Sequence, residues 1–195
     1  MWKHLIIDNF LKPEHFEYIN NTFDTQIPEH RKNKPSAHSY LVNEKKLKQV
    51  NKFLGNINTD KFSDSFIREL YNTYNPKLLD ILREVAPEKL KLYKQSIMIF
   101  TVTPKNSSYP KHTDTNEKLL SVVIYLKPEK NTGTILYENR EDKKPHSIVE
   151  WKPNRALIFS RSENTWHAYK GDGINDRYVL VYNLLGPWGN EKTNQ

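Results

Sequence analysis

The chain reads as a mainly β domain buttressed by N-terminal helices, and three features carry that expectation. Hydrophobic spacing is helical before about residue 90 and alternating after it. The second half breaks into short β-branched and aromatic runs punctuated by Pro, Gly, Asn and Asp. Strand and helix patterns do not alternate there, so a parallel sheet is not expected. Short strands at this spacing point to a β-sandwich or barrel.

The elements follow in order. Leu5-Ile6-Ile7 is the first expected strand, leading into Asp8-Asn9-Phe10-Leu11. Pro13 suits a first helical turn, where its missing N–H costs nothing, and Glu14 complements the positive end of the helix. Phe16, Ile19 and Phe23 then keep helical spacing, with Asn20 the polar exception. Residues 27–40, with Pro28, Pro35 and several basic residues, read as an exposed loop. Asn43 suits the cap of a helix carrying Leu47, Val50 and Leu54 and closed by Gly55. Ser63 or Asp64 opens another, with Phe66, Ile67, Leu70 and Tyr71. Pro76 is expected to restart it, and Leu78, Leu79, Ile81, Leu82 and Val85 to pack inward until Pro87. Strand patterns begin at Leu90 and Leu92 and run through Ile97, Ile99 and Thr101. Further ones span Leu119–Tyr125, Thr134–Leu136, Ile148–Glu150, Ala156–Ile158 and Tyr178–Tyr182. Residues 1–89 are thus the N-terminal strand and supporting helices, integral to the same domain as a β core over 90–185. Residues 186–195 are a polar tail, frayed from Gly189 onward.

Composition narrows the function. With 36% hydrophobic and 12% aromatic residues, 195 residues can furnish a core, so wholesale disorder is not expected. Thirty Lys and Arg against 23 Asp and Glu give +7, which reads as a lysine-rich solvated surface before a nucleic-acid footprint. An acidic or phosphate-bearing partner stays open. The absence of cysteine removes disulfides, thiolate catalysis and zinc–thiolate sites. The apolar run at the start is short and broken by Asp8, unlike a signal peptide, and no stretch nears the roughly 20 apolar residues of a membrane span. The expectation is a soluble, cytoplasmic protein with no membrane partner. Nothing in the pattern sets an oligomeric state.

The chemistry concentrates in Tyr109-Pro110-Lys111-His112-Thr113-Asp114, in Trp166-His167, and in Arg177 ten residues after His167. On a strand, His112 and Asp114 point to one face, because the side-chain period is two. Two imidazoles and one carboxylate can cover one face of an octahedral metal and leave the other open, the 2-His-1-carboxylate arrangement of non-heme Fe(II) oxygenases. Arginine suits a carboxylate-bearing co-substrate, because its planar fork donates two parallel hydrogen bonds. Its competing role is a salt bridge with Asp172 or Asp176. Taken singly, His112 reads as a surface residue beside a turn and His167 as a packed β residue. The other histidines, His4, His15, His30, His38 and His146, are assigned structural or surface roles.

Several blocks around these residues resemble the Fe(II)/2-oxoglutarate dioxygenase superfamily, and more narrowly its prolyl 4-hydroxylase-like branch. After Tyr109–Asp114 come Leu120-Ser121-Val122-Val123-Ile124-Tyr125-Leu126 and Thr132-Gly133-Thr134-Ile135-Leu136-Tyr137. Lys152-Pro153-Asn154-Arg155-Ala156-Leu157-Ile158-Phe159, Trp166-His167 and Arg177-Tyr178-Val179-Leu180-Val181 complete the order. The resemblance covers about residues 95–185, with Ile6–Leu11 also looking like the usual opening of such domains.

That resemblance implies a double-stranded β-helix, a jelly roll, as the catalytic core over 90–185, with the N-terminal helices packed on one sheet. It implies that His112, Asp114 and His167 hold Fe(II), and that Arg177 binds the distal carboxylate of 2-oxoglutarate. Tyr125 matches the family tyrosine that donates to that carboxylate, though it also reads as an aromatic core residue. Thr103 falls near the chelating end of the co-substrate, where close animal relatives carry tyrosine. The implied cofactors are Fe(II), 2-oxoglutarate and O2, with ascorbate as a supporting reductant, and the products are succinate, CO2 and a hydroxylated C–H position.

The implied substrate is a peptide or protein, with proline the first guess and Tyr109, Arg161 and Trp166 as candidate contacts at the rim. Each of the three also reads as ordinary rim packing. A free amino acid or other small molecule is the alternative. Base demethylation ranks lower, because that branch usually carries a second arginine six residues after the first, and Asn183 stands there. A jelly roll that binds without turnover is the remaining class, and an intact triad weighs against it.

Overall fold

A computed structural model describes residues 2–23, 38–41 and 62–187. The elements are β1 (Leu5–Ile7), α1 (Pro13–Thr22), β2 (His38–Leu41), α2 (Asp64–Val85), α3 (Pro87–Leu90), β3 (Gln95–Thr103), β4 (Ser108–His112), β5 (Lys118–Lys127), β6 (Thr134–Leu136), β7 (Ser147–Val149), β8 (Ala156–Phe159), β9 (His167–Lys170) and β10 (Arg177–Leu185). A six-stranded sheet has the order β1-β8-β5-β10-β3-β2, and a four-stranded sheet the order β4-β9-β6-β7. All ladders are antiparallel. From β3 to β10 the chain changes sheet at every connection except the β6–β7 hairpin. That winding is the double-stranded β-helix expected above.

The central strands β8, β5 and β10 of the large sheet are buried on both faces, which explains the nearly continuous apolar run of β5. Leu120, Val122 and Ile124 of β5, with Leu180, Tyr182 and Leu184 of β10, meet the helices through Ile19, Leu70, Tyr74, Leu78 and Leu82. The other face closes on the small sheet through Tyr125, Leu136, Val149, Trp151, Leu157, Phe159 and Val179. Period-two alternation therefore aims Ser121 and Tyr125, and Arg177 and Asn183, into the space between the sheets. Each leucine fully buried under the helices contributes roughly 1.5–3 kcal/mol.

Local chemistry fixes the element ends. Ser63 caps α2, its side chain accepting from the Phe66 N–H. Asn154 sits at φ 62° and clamps the N-terminal segment, accepting from Leu11 N at 2.8 Å and donating to Leu11 O at 2.9 Å. Gly133 allows β6 to lie against β7, since a Cβ there would stand 1.6 Å from the Val149 carbonyl oxygen.

Four expectations need correction. Pro76 does not restart a helix: α2 runs unbroken from Asp64 to Val85, because Leu70 and Tyr74 before it and Leu78 and Leu82 after it pack on one sheet. Leu90 ends α3 and Leu92 lies in a turn, so the β core begins at Gln95. The expected loop over 27–40 gives way at its end to β2, which pairs along β3 from His38 opposite Val102 to Leu41 opposite Ile99. That pairing is set by the edge of β3 and leaves no mark in local composition. Asp114 lies beyond β4, which ends at His112, so a shared strand face does not unite the two ligands. The helix expected from Asn43 to Gly55 and the tail beyond 187 lie outside the described residues. Among those residues no helix is long and apolar enough to cross a membrane.

Candidate metal centre and anion pocket

His112 and His167 are direct partners across the β4–β9 ladder, next to an irregularity in register after Tyr109. Their rings stand 4.2 Å apart between centroids. Each ring is oriented by its own chain: Nδ1 of His112 lies 2.9 Å from Pro110 O, and Nδ1 of His167 lies 2.9 Å from Thr165 O. A carbonyl accepts only, so each Nδ1 carries the proton and each Nε2 offers a lone pair. Asp114 reaches the same place from the turn after β4, with Oδ1 at 4.0 Å from His112 Nε2. One ligand atom from each of the three residues lies within 4.8 Å of the others.

The electrostatics suit a cation. Burial pulls the pKa of His112 below its ordinary value and that of His167 down to about 4, so both imidazoles are neutral at pH 7. Burial by itself would raise Asp114, but Lys118, His167 and Ser121 outweigh it and hold the carboxyl below its usual range. Ser121 donates to Oδ2, and Lys118 donates to Oδ1 at 2.6 Å. Arg161 donates from Nε to the Asp114 carbonyl at 3.0 Å and pairs with Glu163 at 2.7 Å.

Deeper between the sheets lies a buried guanidinium. Arg177 opens β10 and is 7% exposed. Its Nη2 donates to Thr134 Oγ1 at 3.2 Å, and Nε has no hydrogen-bond partner among the described residues. Its charge centre stands 4.3 Å from the Tyr169 ring, 5.4 Å from Tyr125 and 5.7 Å from Trp151. Among the described residues no carboxylate pairs with it. Asp172 accepts instead from the Ile174 and Asn175 N–H groups, and Asp176 from Lys105 N–H. The competing salt-bridge role for Arg177 is therefore not what the fold builds. Tyr125 donates to Thr134 Oγ1 at 2.9 Å, and its oxygen accepts from Thr134 N–H at 3.0 Å. Thr103 is buried and is the register partner of Arg177 on β3, which places it beside the guanidinium's strand.

The rim candidates divide. Tyr109 is 46% exposed, with its ring 4.5 Å from that of His112. Trp166 stands beneath the Arg140 guanidinium at 5.9 Å. Arg161 is committed to the Asp114 backbone and to Glu163, which gives it a supporting place. Sequence reasoning missed Lys118, Thr134, Trp151 and Tyr169. Tyr169 had a signal, since it lies two residues after His167 on one strand. Trp151 had none, because it follows β7 in a loop and only the fold brings it to Arg177.

No model of a known protein family matches the sequence, and no curated protein matches it. Solved structures do match in fold. A prolyl 4-hydroxylase from Pseudomonas putida aligns at TM-score 0.55 and 14% identity, covering 95% of this chain and 93% of that one. A prolyl hydroxylase from Trichoplax adhaerens, in complex with a peptide fragment of the hypoxia inducible factor oxygen degradation domain, aligns at 0.57 and 16%, covering 94% and 83%. A dioxygenase for auxin oxidation from Arabidopsis thaliana, in complex with 2-oxoglutarate, aligns at 0.58 and 14%, covering 96% and 84%. The chain has the jelly-roll fold of the prolyl 4-hydroxylase-like 2-oxoglutarate dioxygenases.

Proposed function

We propose that this protein is an Fe(II)- and 2-oxoglutarate-dependent dioxygenase that hydroxylates a prolyl residue of a peptide or protein. The observation that carries the reading is the pairing of two sites: three convergent ligand atoms at the mouth and an anion-seeking arginine deeper inside. The residues fit the groups. Two neutral imidazoles and a carboxylate, with no thiolate, match the nitrogen and oxygen donors that Fe(II) takes in an open facial site. Arg177, with an orphaned Nε and no acid partner among the described residues, matches a carboxylate arriving with a ligand.

When bound, Fe(II) with 2-oxoglutarate and O2 supplies the chemistry that converts C–H to C–OH while 2-oxoglutarate becomes succinate and CO2. The chain's own part is binding, orientation and exclusion of water. His112, Asp114 and His167 would hold the metal, with Nδ1–H bonds to Pro110 O and Thr165 O keeping each ring turned inward. Arg177 would take the distal carboxylate, with Thr134 and the Tyr125 hydroxyl beside it. Tyr169, Trp151 and Tyr125 wall the guanidinium from water, which strengthens its hold on an anion. Thr103 lies along the same inner face.

Tyr109 and Trp166 flank the mouth as the residues that would meet substrate. The peptide complex of the Trichoplax neighbour supports a peptide or protein substrate. The Arabidopsis neighbour, equally similar in fold, supports a free small molecule as the second reading. Incubation with Fe(II), 2-oxoglutarate and O2 separates them by mass spectrometry. The proposal expects one added oxygen on a proline-containing peptide, with stoichiometric succinate. Oxygen appearing only on free metabolites replaces it with the second reading, and no succinate under any condition refutes the enzyme.

A further inference from the structure

Asp114 gives its two oxygens to different partners. Oδ2 accepts from Ser121, and Oδ1 accepts from Lys118 Nζ at 2.6 Å. Oδ1 is also the oxygen that lies 4.0 Å from His112 Nε2. The ammonium of Lys118 therefore sits on the carboxylate oxygen on the His112 side of the three-residue centre. Arg161, the other cation at this residue among the described residues, donates to the Asp114 backbone carbonyl and is paired with Glu163.

Lys118 differs from Arg177 in being free to leave. Its side chain is 25% exposed, against 7% for Asp114, and it stands at the first position of β5, so its head can turn into water without repacking. The backbone there is held independently, by Lys118 N–H to Thr115 O at 3.1 Å and by pairing with Leu185. Ser121 keeps hold of the carboxylate in either case. Two cations contending for one oxygen repel each other, and in a partly buried place that repulsion is weakly screened.

We propose that Lys118 is a built-in competitor for the metal. It keeps the buried Asp114 carboxylate aligned and charge-compensated, and a divalent ion enters by exchange with the lysine head. This rests on the metal-centre reading above. Lys118 thereby lowers the affinity of the centre for its ion and makes that affinity tunable by whatever else engages the lysine.

The test is Mn(II) binding, followed by electron paramagnetic resonance, to wild type, Lys118→Gln and Lys118→Arg, with melting temperatures taken without added metal. Glutamine keeps an N–H donor without the charge, and arginine keeps the charge. Lys118→Gln is expected to bind Mn(II) roughly tenfold tighter or more than wild type, and to melt lower without metal. Lys118→Arg is expected to stay near wild type in affinity. Unchanged or weaker Mn(II) binding in Lys118→Gln overturns the proposal, as does equal tightening in both variants. If wild type binds no Mn(II), the metal-centre reading itself fails, a result distinct from a wild type that binds and a glutamine variant that does not tighten.

Discussion

His112 and His167 face each other as register partners on β4 and β9, and each fixes its ring on the carbonyl two residues before it, Pro110 or Thr165. The hydrogen bonds that orient the two imidazoles are thus made to backbone. Mutations that keep the β4–β9 ladder should keep those bonds, whereas Asp114, beyond β4, depends on the Ser121 and Lys118 side chains.

Arg177 is a desolvated cation without an acid partner among the described residues, so it should cost stability and serve binding. Arg177→Met is expected to leave the melting temperature unchanged or raise it, because removing an uncompensated buried charge relieves its desolvation. The same variant should raise KM for 2-oxoglutarate by about 10–100-fold or more, with Arg177→Lys intermediate because it keeps charge and loses the fork. Calorimetry and initial rates check both arms. A fall in stability of several kcal/mol with KM unchanged would make Arg177 a structural residue.

Tyr125→Phe removes the hydroxyl that bonds Thr134 and keeps the ring stacked on Trp151 at 4.6 Å. The expected effect is a loss of about 1 kcal/mol in stability and a smaller rise in KM for 2-oxoglutarate than in Arg177→Met. A variant with wild-type kinetics would confine Tyr125 to packing.

Acid should destabilise the metal-free protein through His167. Its folded pKa, lowered to about 4, lies beneath the ordinary value of 6.5. Between those values the unfolded chain binds more protons, so stability rises with pH across the window and is lost as pH falls from 6.5 toward 4. His167→Gln should flatten that slope in urea denaturation series. At pH 7 the ring is already neutral, so metal binding should release almost no proton from it, which calorimetry in buffers of different ionisation enthalpy can measure.

Gly133→Ala places a Cβ against the Val149 carbonyl. It should cost at least about 1–3 kcal/mol through overpacking. Because Thr134 follows directly, KM for 2-oxoglutarate should rise as well. Thermal melts and initial rates report the two effects separately.

The chemistry was more legible than the architecture that delivers it. His112, Asp114 and His167 could be picked out by residue type, and they converge. Asp114 arrives from the segment after β4, however, so its convergence with His112 does not come from a shared strand face. Arg177 was legible from its spacing, whereas the rings around it come from β5, β9 and the loop after β7, and no local pattern links them. The short alternating runs pointed to a β-sandwich or barrel, and the family resemblance narrowed that to a jelly roll. Pro76 misled, because tertiary packing on both sides of it outweighed the missing hydrogen bond. β2 was invisible because the edge of β3 creates it.

Anaerobic Fe(II) titration of wild type, His112→Ala, Asp114→Ala and His167→Ala tests the convergence of the three ligands most directly. One ion per chain is expected in wild type, and in each variant an affinity reduced at least about 10–100-fold. Wild-type affinity retained in any of the three would mean that the three side chains do not share one ion.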